Sequence, residues 1–273
     1  MNQSSIAFQN VAEAFSRKAL IYDEFGKDHA NLTRMRQKVY RHVMDLVRPG
    51  ARILELNAGT GADAVFFAQQ GFSVLATDLA PGMIERISQK VAQFDLQDRL
   101  SVQQCSFTEL EQIRGEPFDC VFSNFGGLNC IPDVRVVTRS LPRLLRPGAI
   151  VTWVIMPPVC LWDFTALFKG DIRTATRRLA RGGALANVEG VRFMTYYFTP
   201  RQIADAFDRD FELVRIQGLS VLTPPADRKT FAARFPRFYR LLAALDDRVA
   251  DQRPFRAWGD FFIITMRFAP REP

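Results

Sequence analysis

Residues 51–81 read ARILELNAGTGADAVFFAQQGFSVLATDLAP, and this stretch decides the fold. An apolar run at 53–56 leads into a small-residue loop at 57–61, and a helical pattern follows that ends at Gly71. A second apolar run, 72–76, ends just before Asp78. The order predicts strand, tight turn, helix and strand. Glycines allow close backbone approach to a ligand, and the carboxylate can accept both hydroxyls of a ribose, so we predict a nucleoside-cofactor site.

Two cofactors compete for this unit. Gly59, Gly61 and Ala64 fit the G-x-G-x-x-G/A fingerprint of dinucleotide-binding proteins, with Asp78 at roughly the required distance. The stretch from Glu55 to Gly61 instead resembles the E-x-G-x-G-x-G pattern of class I S-adenosylmethionine-dependent methyltransferases. Asn57 stands at the first glycine position, and Asn tolerates a positive φ better than other non-glycine residues, so we expect the turn to survive.

Two later motifs favour the methyltransferase over the NAD alternative. Residues 118–127 resemble the family's F-D-x-V strand and its exit loop, and residues 144–148 resemble its L-x-P-G-G turn before a fifth strand, 149–156. The resemblance is good over 51–156 and looser elsewhere. It implies an enzyme with an α/β fold, a doubly wound seven-stranded mostly parallel sheet whose last two strands are antiparallel. It also implies S-adenosyl-L-methionine as the cofactor.

The resemblance also implies which residues bind the cofactor. Ser106 falls where the family usually places an acid that hydrogen-bonds the adenine amino group, and its hydroxyl is a plausible substitute. The candidate cofactor residues are Tyr22, Glu55, Asn57, Ala58, Gly59, Gly61, Asp78, Leu79, Met83, Cys105, Ser106, Phe107, Asn124, Phe125 and Gly126.

The chain has no linker or repeat, which indicates a single domain over 1–273. Residues 1–48 are predicted to form N-terminal helices, including one at 31–47, that fold over the cofactor as a lid. Residues 51–156 form the cofactor-binding core. Residues 157–198 and 226–250 exceed what the sheet connections need, so they are predicted to be insertions that cap the acceptor.

Few residues qualify as catalytic. His29, in a loop of the lid, and Tyr197, in the first insertion, are the candidates, whereas His42 is more typical of a structural residue. Trp162, Tyr196 and Tyr197 are the predicted acceptor-pocket residues. No spacing typical of metal ligands is present, so no metal is expected.

The charge and the exit-loop motif indicate which class of acceptor molecule the enzyme methylates. The net charge is +7, and residues 164–256 hold 17 Lys and Arg against 10 Asp and Glu. The exit loop at 123–126 lacks the N-P-P-Y type that grips a base or amide nitrogen, which disfavours DNA adenine and protein glutamine methylation. A small or lipid-like organic acceptor, methylated on oxygen, nitrogen or carbon, is predicted, with no nucleic-acid partner. The alternatives are an RNA or protein methyltransferase, suggested by the basic surplus, and a regulatory protein that binds the cofactor without catalysis, suggested by Asn57 and Ser106.

The sequence also predicts the compartment. No apolar run approaches the ~18 residues of a membrane helix, and charged residues stand where a signal peptide needs an apolar core. The four cysteines form no C-x-x-C pair. Reduced thiols in a cytoplasmic protein are therefore expected.

Overall fold

The computed structural model describes residues 12, 13, 15–17, 19, 24, 26, 28–188 and 190–271. Among them, nine strands are β1 (Arg52–Leu56), β2 (Ser73–Asp78), β3 (Leu100–Gln104), β4 (Phe118–Ser123), β5 (Leu145–Ile155), β6 (Ala184–Val188), β7 (Val191–Thr195), β8 (Phe211–Leu219) and β9 (Phe261–Phe268). The α-helices are α1 (Ala30–Leu46), α2 (Ala62–Gln69), α3 (Pro81–Gln93), α4 (Arg135–Thr138), α5 (Ile172–Thr176), α6 (Pro200–Ala204), α7 (Phe231–Arg234) and α8 (Pro236–Val249).

Seven strands form one sheet in the order β3-β2-β1-β4-β5-β9-β8. The first five are parallel, and β9 is antiparallel to both β5 and β8. The predicted seven-stranded, doubly wound fold is confirmed. The strand order reverses between β1 and β4, so the crevice at their carboxyl ends is where this architecture binds ligands.

The sheet is buried on both faces. One core contains the inward faces of α1 and α2, with Met35, Val39 and Phe67 fully buried. The other covers the opposite face and contains Trp153 and Phe118. Strands covered on both sides carry nearly continuous apolar runs rather than alternating ones, which is why β1, β4 and β5 are recognisable in the sequence.

The N-termini of two helices are set by residues that are visible in the sequence. The helix predicted at 31–47 is α1, and its N-cap is His29, whose Nδ1 accepts a hydrogen bond from the Leu32 N–H at 3.2 Å. α3 begins at Pro81, whose fixed φ suits the first helical position. No helix in the described part of the chain is long and apolar enough to cross a membrane.

The first insertion contains a short helix and a hairpin. Residues Asp163–Lys169 form a 3₁₀ helix, closed by i→i+3 bonds such as Gly170 N–H to Leu167 O. Strand β7 ends at Thr195 and pairs with β6 in a separate two-stranded sheet. It ends there because the Tyr196 N–H donates to Asn129 O, outside that hairpin.

The second insertion does not cap the site. Residues 226–250 form α7 and α8, and α8 packs beside α1 through two acids that meet Arg34 and Lys38. Asp246 is fully buried and also accepts the backbone N–H groups of Val221 and Leu222. No residue of 226–250 lines the pocket described below. The ion pairs of α8 hold this insertion against α1.

Candidate cofactor and acceptor site

The loop after β1 carries three left-handed residues within five positions. Asn57, Gly59 and Gly61 have φ values of 49°, 58° and 79°. Gly61 is the N-cap of α2, and a Cβ there would lie 2.9 Å from Ile87, so both its conformation and its packing require glycine. The expectation that Asn57 keeps the turn is confirmed.

Asn57 also does something that glycine could not. Its side-chain oxygen accepts a hydrogen bond from Ser123 Oγ at 2.8 Å, and its amide donates to Asn124 O at 3.3 Å. The side chain thus ties the loop after β1 to the end of β4. A Cβ at Gly127 would lie 2.2 Å from Asn57 Cγ, so Gly127 is the residue that makes room for it. The sequence analysis missed Gly127, although the glycine pair at 126–127 was the available signal.

Asp78 anchors the same loop from β2. Its two carboxylate oxygens accept the Gly59 and Ala80 N–H groups, each at 2.9 Å. Burial raises the pKa of Asp78 to about 6, and the hydrogen bonds from Ala80, Gly59 and Leu79 oppose that rise. The carboxylate is therefore held in place before any ligand arrives.

Glu55 lies deeper than Asp78. It is 1% exposed, and burial raises its pKa well above the usual range, with Asp63 adding to the rise. Its Oε2 accepts no hydrogen bond from the described residues. Glu55 is thus a buried side chain behind the loop, and it does not line the pocket.

Asp63, in the first turn of α2, gathers three further side chains. It pairs with Arg36 Nε at 3.3 Å, accepts from Asn124 Nδ2 at 2.9 Å and accepts from the Tyr40 hydroxyl. These contacts join α1, α2 and the end of β4 beside the pocket. The sequence analysis missed Arg36, Tyr40 and Asp63, because their spacing along the chain gives no sign that they meet.

These elements surround one cavity of about 340 Å³. The predicted cofactor residues that line it are Asn57, Ala58, Gly59, Asp78, Leu79, Met83, Cys105, Phe107, Asn124, Phe125 and Gly126. Phe15 lines it as well and contacts Phe193, with ring centroids 5.8 Å apart. The opposite wall comes from the first insertion: Arg177, Arg178, Ala186, Phe193, Thr195 and Tyr197.

Several predicted residues lie elsewhere. Tyr22 falls outside the described residues. Gly61 acts through the turn and does not line the pocket. The Ser106 hydroxyl accepts a hydrogen bond from the Thr108 N–H at 3.2 Å, and it lies 2.7 Å from the Thr108 hydroxyl oxygen. It therefore closes a turn instead of facing the cavity. Its neighbours Cys105 and Phe107 form the wall there.

His29 is not placed for catalysis. It is 1% exposed, its Nε2 lies 2.6 Å from Ala226 O, and its Nδ1 caps α1. Neither ring nitrogen faces the cavity, because both hold backbone groups. The sequence assigned this histidine to a mobile lid, whereas it joins α1 to the segment before α7.

The three aromatic residues predicted for the acceptor pocket lie in three different environments. Tyr197 lines the cavity, with the Arg178 guanidinium 5.5 Å from its ring centre, and burial raises the pKa of its hydroxyl. Tyr196 packs against the core of one sheet face. Trp162 donates its indole N–H to Leu222 O at 2.9 Å and packs edge-on against Phe231, so it joins the two insertions.

Arg178 fixes the cap wall to the body of the protein. Its guanidinium donates to Asp163 Oδ2 at 2.9 Å, to Asp260 Oδ1 at 2.8 Å and to Asp260 O at 2.9 Å. Arg177 shares Asp163 at 3.3 Å with its side chain 43% exposed. No cluster of metal-ligating side chains occurs among the described residues, and all four cysteines are free thiols.

Comparison with known proteins agrees with this geometry. Residues 53–148 match the family model described as "Methyltransferase domain". The chain is 25% identical to the tRNA 5-carboxymethoxyuridine methyltransferase of Escherichia coli (strain K12) over 147 residues, 53% of this chain and 54% of that protein. It is 33% identical to the demethylmenaquinone methyltransferase of Clavibacter sepedonicus over 114 residues, 41% of this chain and 44% of that one. The chain spans about half the length of the curated relatives it matches.

The fold has a solved counterpart. The 1,6-didemethyltoxoflavin-N1-methyltransferase of Burkholderia thailandensis, solved with 1,6-didemethyltoxoflavin and S-adenosylhomocysteine bound, superposes with a TM-score of 0.59. The comparison covers 99% of this chain and 92% of that chain at 18% identity, so it establishes the fold.

The residues present fit the cofactor of such domains. A held carboxylate ends β2, the left-handed glycines keep side chains off the loop, and Leu79, Met83 and Phe107 supply apolar walls. These features and the matched family model lead to one conclusion. Residues 53–148 match a methyltransferase domain, and the residues around the cavity fit S-adenosylmethionine as the cofactor of that domain.

Proposed function

We propose that this protein transfers the methyl group of S-adenosylmethionine to a small or lipid-like organic acceptor bound under the first insertion. One observation carries the proposal: a single cavity has the cofactor motifs on one wall and the insertion on the other. Donor and acceptor would then meet in one cavity. Methyl transfer is an in-line displacement, so alignment of two reactants is the main contribution that a protein makes to it.

The cofactor would be held mainly by Asp78 and the loop it anchors. Charge-assisted hydrogen bonds from ribose hydroxyls to the carboxylate suit its position on the cavity wall. Leu79, Met83 and Phe107 would flank the adenine. When bound, S-adenosylmethionine supplies an electrophilic methyl carbon on a sulfonium.

Three titratable side chains on the cavity wall are poor bases. Burial raises the pKa of Cys130 to about 12 and raises those of Cys105 and Tyr197. These three groups keep their protons at neutral pH, so Tyr197 is suited to donate a hydrogen bond rather than to act as a base. We therefore propose that the acceptor presents a lone pair of its own and that the enclosed site chiefly orients it.

An RNA acceptor is the second candidate. The similarity to a tRNA methyltransferase and the basic surplus in 164–256 favour it. The roof over the cavity favours a small molecule, because a polynucleotide would have to place one nucleotide beneath Phe193 and Tyr197.

Labelled methyl transfer from S-adenosylmethionine distinguishes the two candidates. The protein would be incubated with a low-molecular-weight fraction, a lipid fraction and total tRNA from the same cells. Label in either of the first two supports the proposal. Label confined to tRNA and abolished by moderate salt would overturn it in favour of RNA methylation.

Adjacent tyrosines provide a matched pair of variants. Tyr197→Phe removes the hydroxyl from the cavity wall, whereas Tyr196→Phe alters a ring that packs in the core. Tyr197→Phe should raise the KM for the acceptor or lower kcat about tenfold, the effect of one lost hydrogen bond of ~1.4 kcal/mol. Cofactor affinity, measured by calorimetry, should stay within about twofold in both variants. Equal loss of activity in both would place the acceptor elsewhere.

A further inference from the structure

The outer surface of the first insertion is unusually apolar. Five of the twelve large apolar side chains that are exposed among the described residues lie within 167–185. They are Leu167, Phe168, Ile172, Leu179 and Leu185. Phe168 is 94% exposed and Ile172 is 66% exposed, so the residues that the structure describes leave most of these two side chains uncovered. A cluster of exposed apolar side chains marks a surface that binds a partner or a membrane.

The same surface is basic. Residues 164–188 contain five Lys and Arg and one acid, Asp171. Lys169, Arg173 and Arg181 are exposed. Asp171 accepts hydrogen bonds from the Thr174 N–H, at 2.9 Å, and from the Thr174 hydroxyl. Exposed apolar side chains interleaved with cations are the composition of segments that lie in the interface of an anionic bilayer.

We propose that this surface, which we call the cap face (Leu167, Phe168, Lys169, Ile172, Arg173, Leu179, Arg181 and Leu185), binds an anionic lipid bilayer without spanning it. Phe168 and Ile172 would enter the headgroup region while the cations remain at the phosphates. The cap face lies in the same insertion as Arg177 and Arg178, which line the cavity. Bilayer binding would therefore bring the roof of the acceptor site to the membrane surface.

Two other partners fit less well. A symmetric dimer through the cap face would place the same cations of two copies against each other, which is unfavourable. An RNA backbone would use the cations, but leucine and isoleucine side chains gain nothing from phosphates, and only Phe168 can stack on a base. An anionic bilayer offers an apolar region for the exposed phenylalanine, leucine and isoleucine side chains and phosphate oxygens for the cations, so it matches both parts of the cap face.

Vesicle sedimentation with the full chain tests the proposal without cofactor or acceptor, so its outcome is independent of the proposed activity. The protein should sediment with vesicles of phosphatidylcholine mixed with phosphatidylglycerol, and much less with phosphatidylcholine alone. Phe168→Ser with Ile172→Ser should weaken binding at least tenfold. Lys169→Gln or Arg173→Gln should weaken it about fivefold each on the anionic vesicles.

Phe94→Ser is the matched control. Phe94 is 44% exposed and follows the last residue of α3. This end of the helix lies towards the amino-terminal ends of the strands, away from the cavity, so the loss of the Phe94 ring should leave vesicle binding unchanged. Circular dichroism should show all variants folded. The proposal is overturned if no vesicle retains the protein, or if Phe168→Ser and Phe94→Ser behave alike. It is also overturned if the cap-face variants abolish self-association or tRNA binding while vesicles retain nothing.

Discussion

Asn57 and Asp78 each perform a structural task and a site task with one side chain. Asn57 takes the left-handed conformation of the expected glycine and uses its amide to hold the end of β4. Asp78 holds the Gly59 N–H at 2.9 Å while facing the cavity. Because both are joined to backbone that also lines the cavity, replacing either should change the shape of the loop as well as its chemistry.

Cofactor affinity should depend on pH through Asp78. Its pKa in the free protein is about 6, and ribose hydroxyls bind the carboxylate form, so a proton must leave before the cofactor binds. We expect the Kd for S-adenosylhomocysteine to be constant above pH 7 and to rise up to tenfold per unit as pH falls below 6. Calorimetry across pH 5–8 measures this.

Asp78→Ala is the companion variant. It should cost about 2–3 kcal/mol of cofactor binding at pH 7.5 and should remove the dependence on pH. A steep pH dependence that survives in Asp78→Ala would assign the titration to another group.

α1 links several elements around the sheet. Tyr40 and Arg36 meet Asp63 on α2, Arg34 meets Asp246 on α8, and His42 reaches Thr265 on β9 at 2.7 Å. Amphipathic spacing explains the apolar stripe of the helix but not these polar contacts. They make α1 a buried connection between the cofactor loop, the antiparallel edge of the sheet and the second insertion.

His42 should make stability fall in mild acid. Burial, and then the Arg215 charge, lower its pKa to about 4, against ~6.5 in an unfolded chain. Between those values the unfolded chain binds the extra proton, so stability is lost as pH falls from 6.5 towards 4. This contribution reaches ~3 kcal/mol at pH 4.

Comparison with His42→Gln isolates the effect, because buried acids such as Asp78 titrate identically in both proteins. Urea unfolding at pH 7 and pH 4.5 should show a larger loss for the natural protein than for the variant. Parallel losses would mean that His42 is already accessible to protons in the folded chain.

At the scale of the molecule, the site exists because one insertion is fastened to the sheet. Arg178 is 6% exposed and bridges Asp163 in the insertion to Asp260 just before β9. Asp260 also accepts the Ala226 N–H at 3.2 Å, so the same cluster reaches the segment before α7. The cap wall is thus set by a buried ion cluster rather than by a continuous apolar core.

Arg178→Met should destabilise the protein by about 3 kcal/mol, because it leaves two buried carboxylates without their partner. The adjacent Arg177→Met is the control. Arg177 is half exposed and shares Asp163 at 3.3 Å, so its loss should cost less than ~1 kcal/mol. Equal effects in urea unfolding would show that the cluster does not hold the cap.

The sequence by itself determined the sheet and the cofactor, and eleven of the predicted cofactor residues line the cavity. These depend on short-range rules: buried parallel strands are continuous apolar runs, and a left-handed turn requires glycine or a residue such as asparagine. The loop motif from Glu55 to Gly61 spans seven residues, and Asp78 directly ends the next strand, so both are recognisable in the sequence. Asn57, Gly59 and Asp78 line the cavity.

Only the tertiary structure decided the acceptor side. His29, Trp162 and Tyr196 were reasonable candidates by residue type, but each is held by packing or by backbone groups far away in the chain, such as Ala226 O for His29. Arg36 and Asp63 meet across 27 residues, and Arg178 and Asp260 across 82. No local pattern encodes such contacts, because they depend on how the insertions fold back onto the sheet.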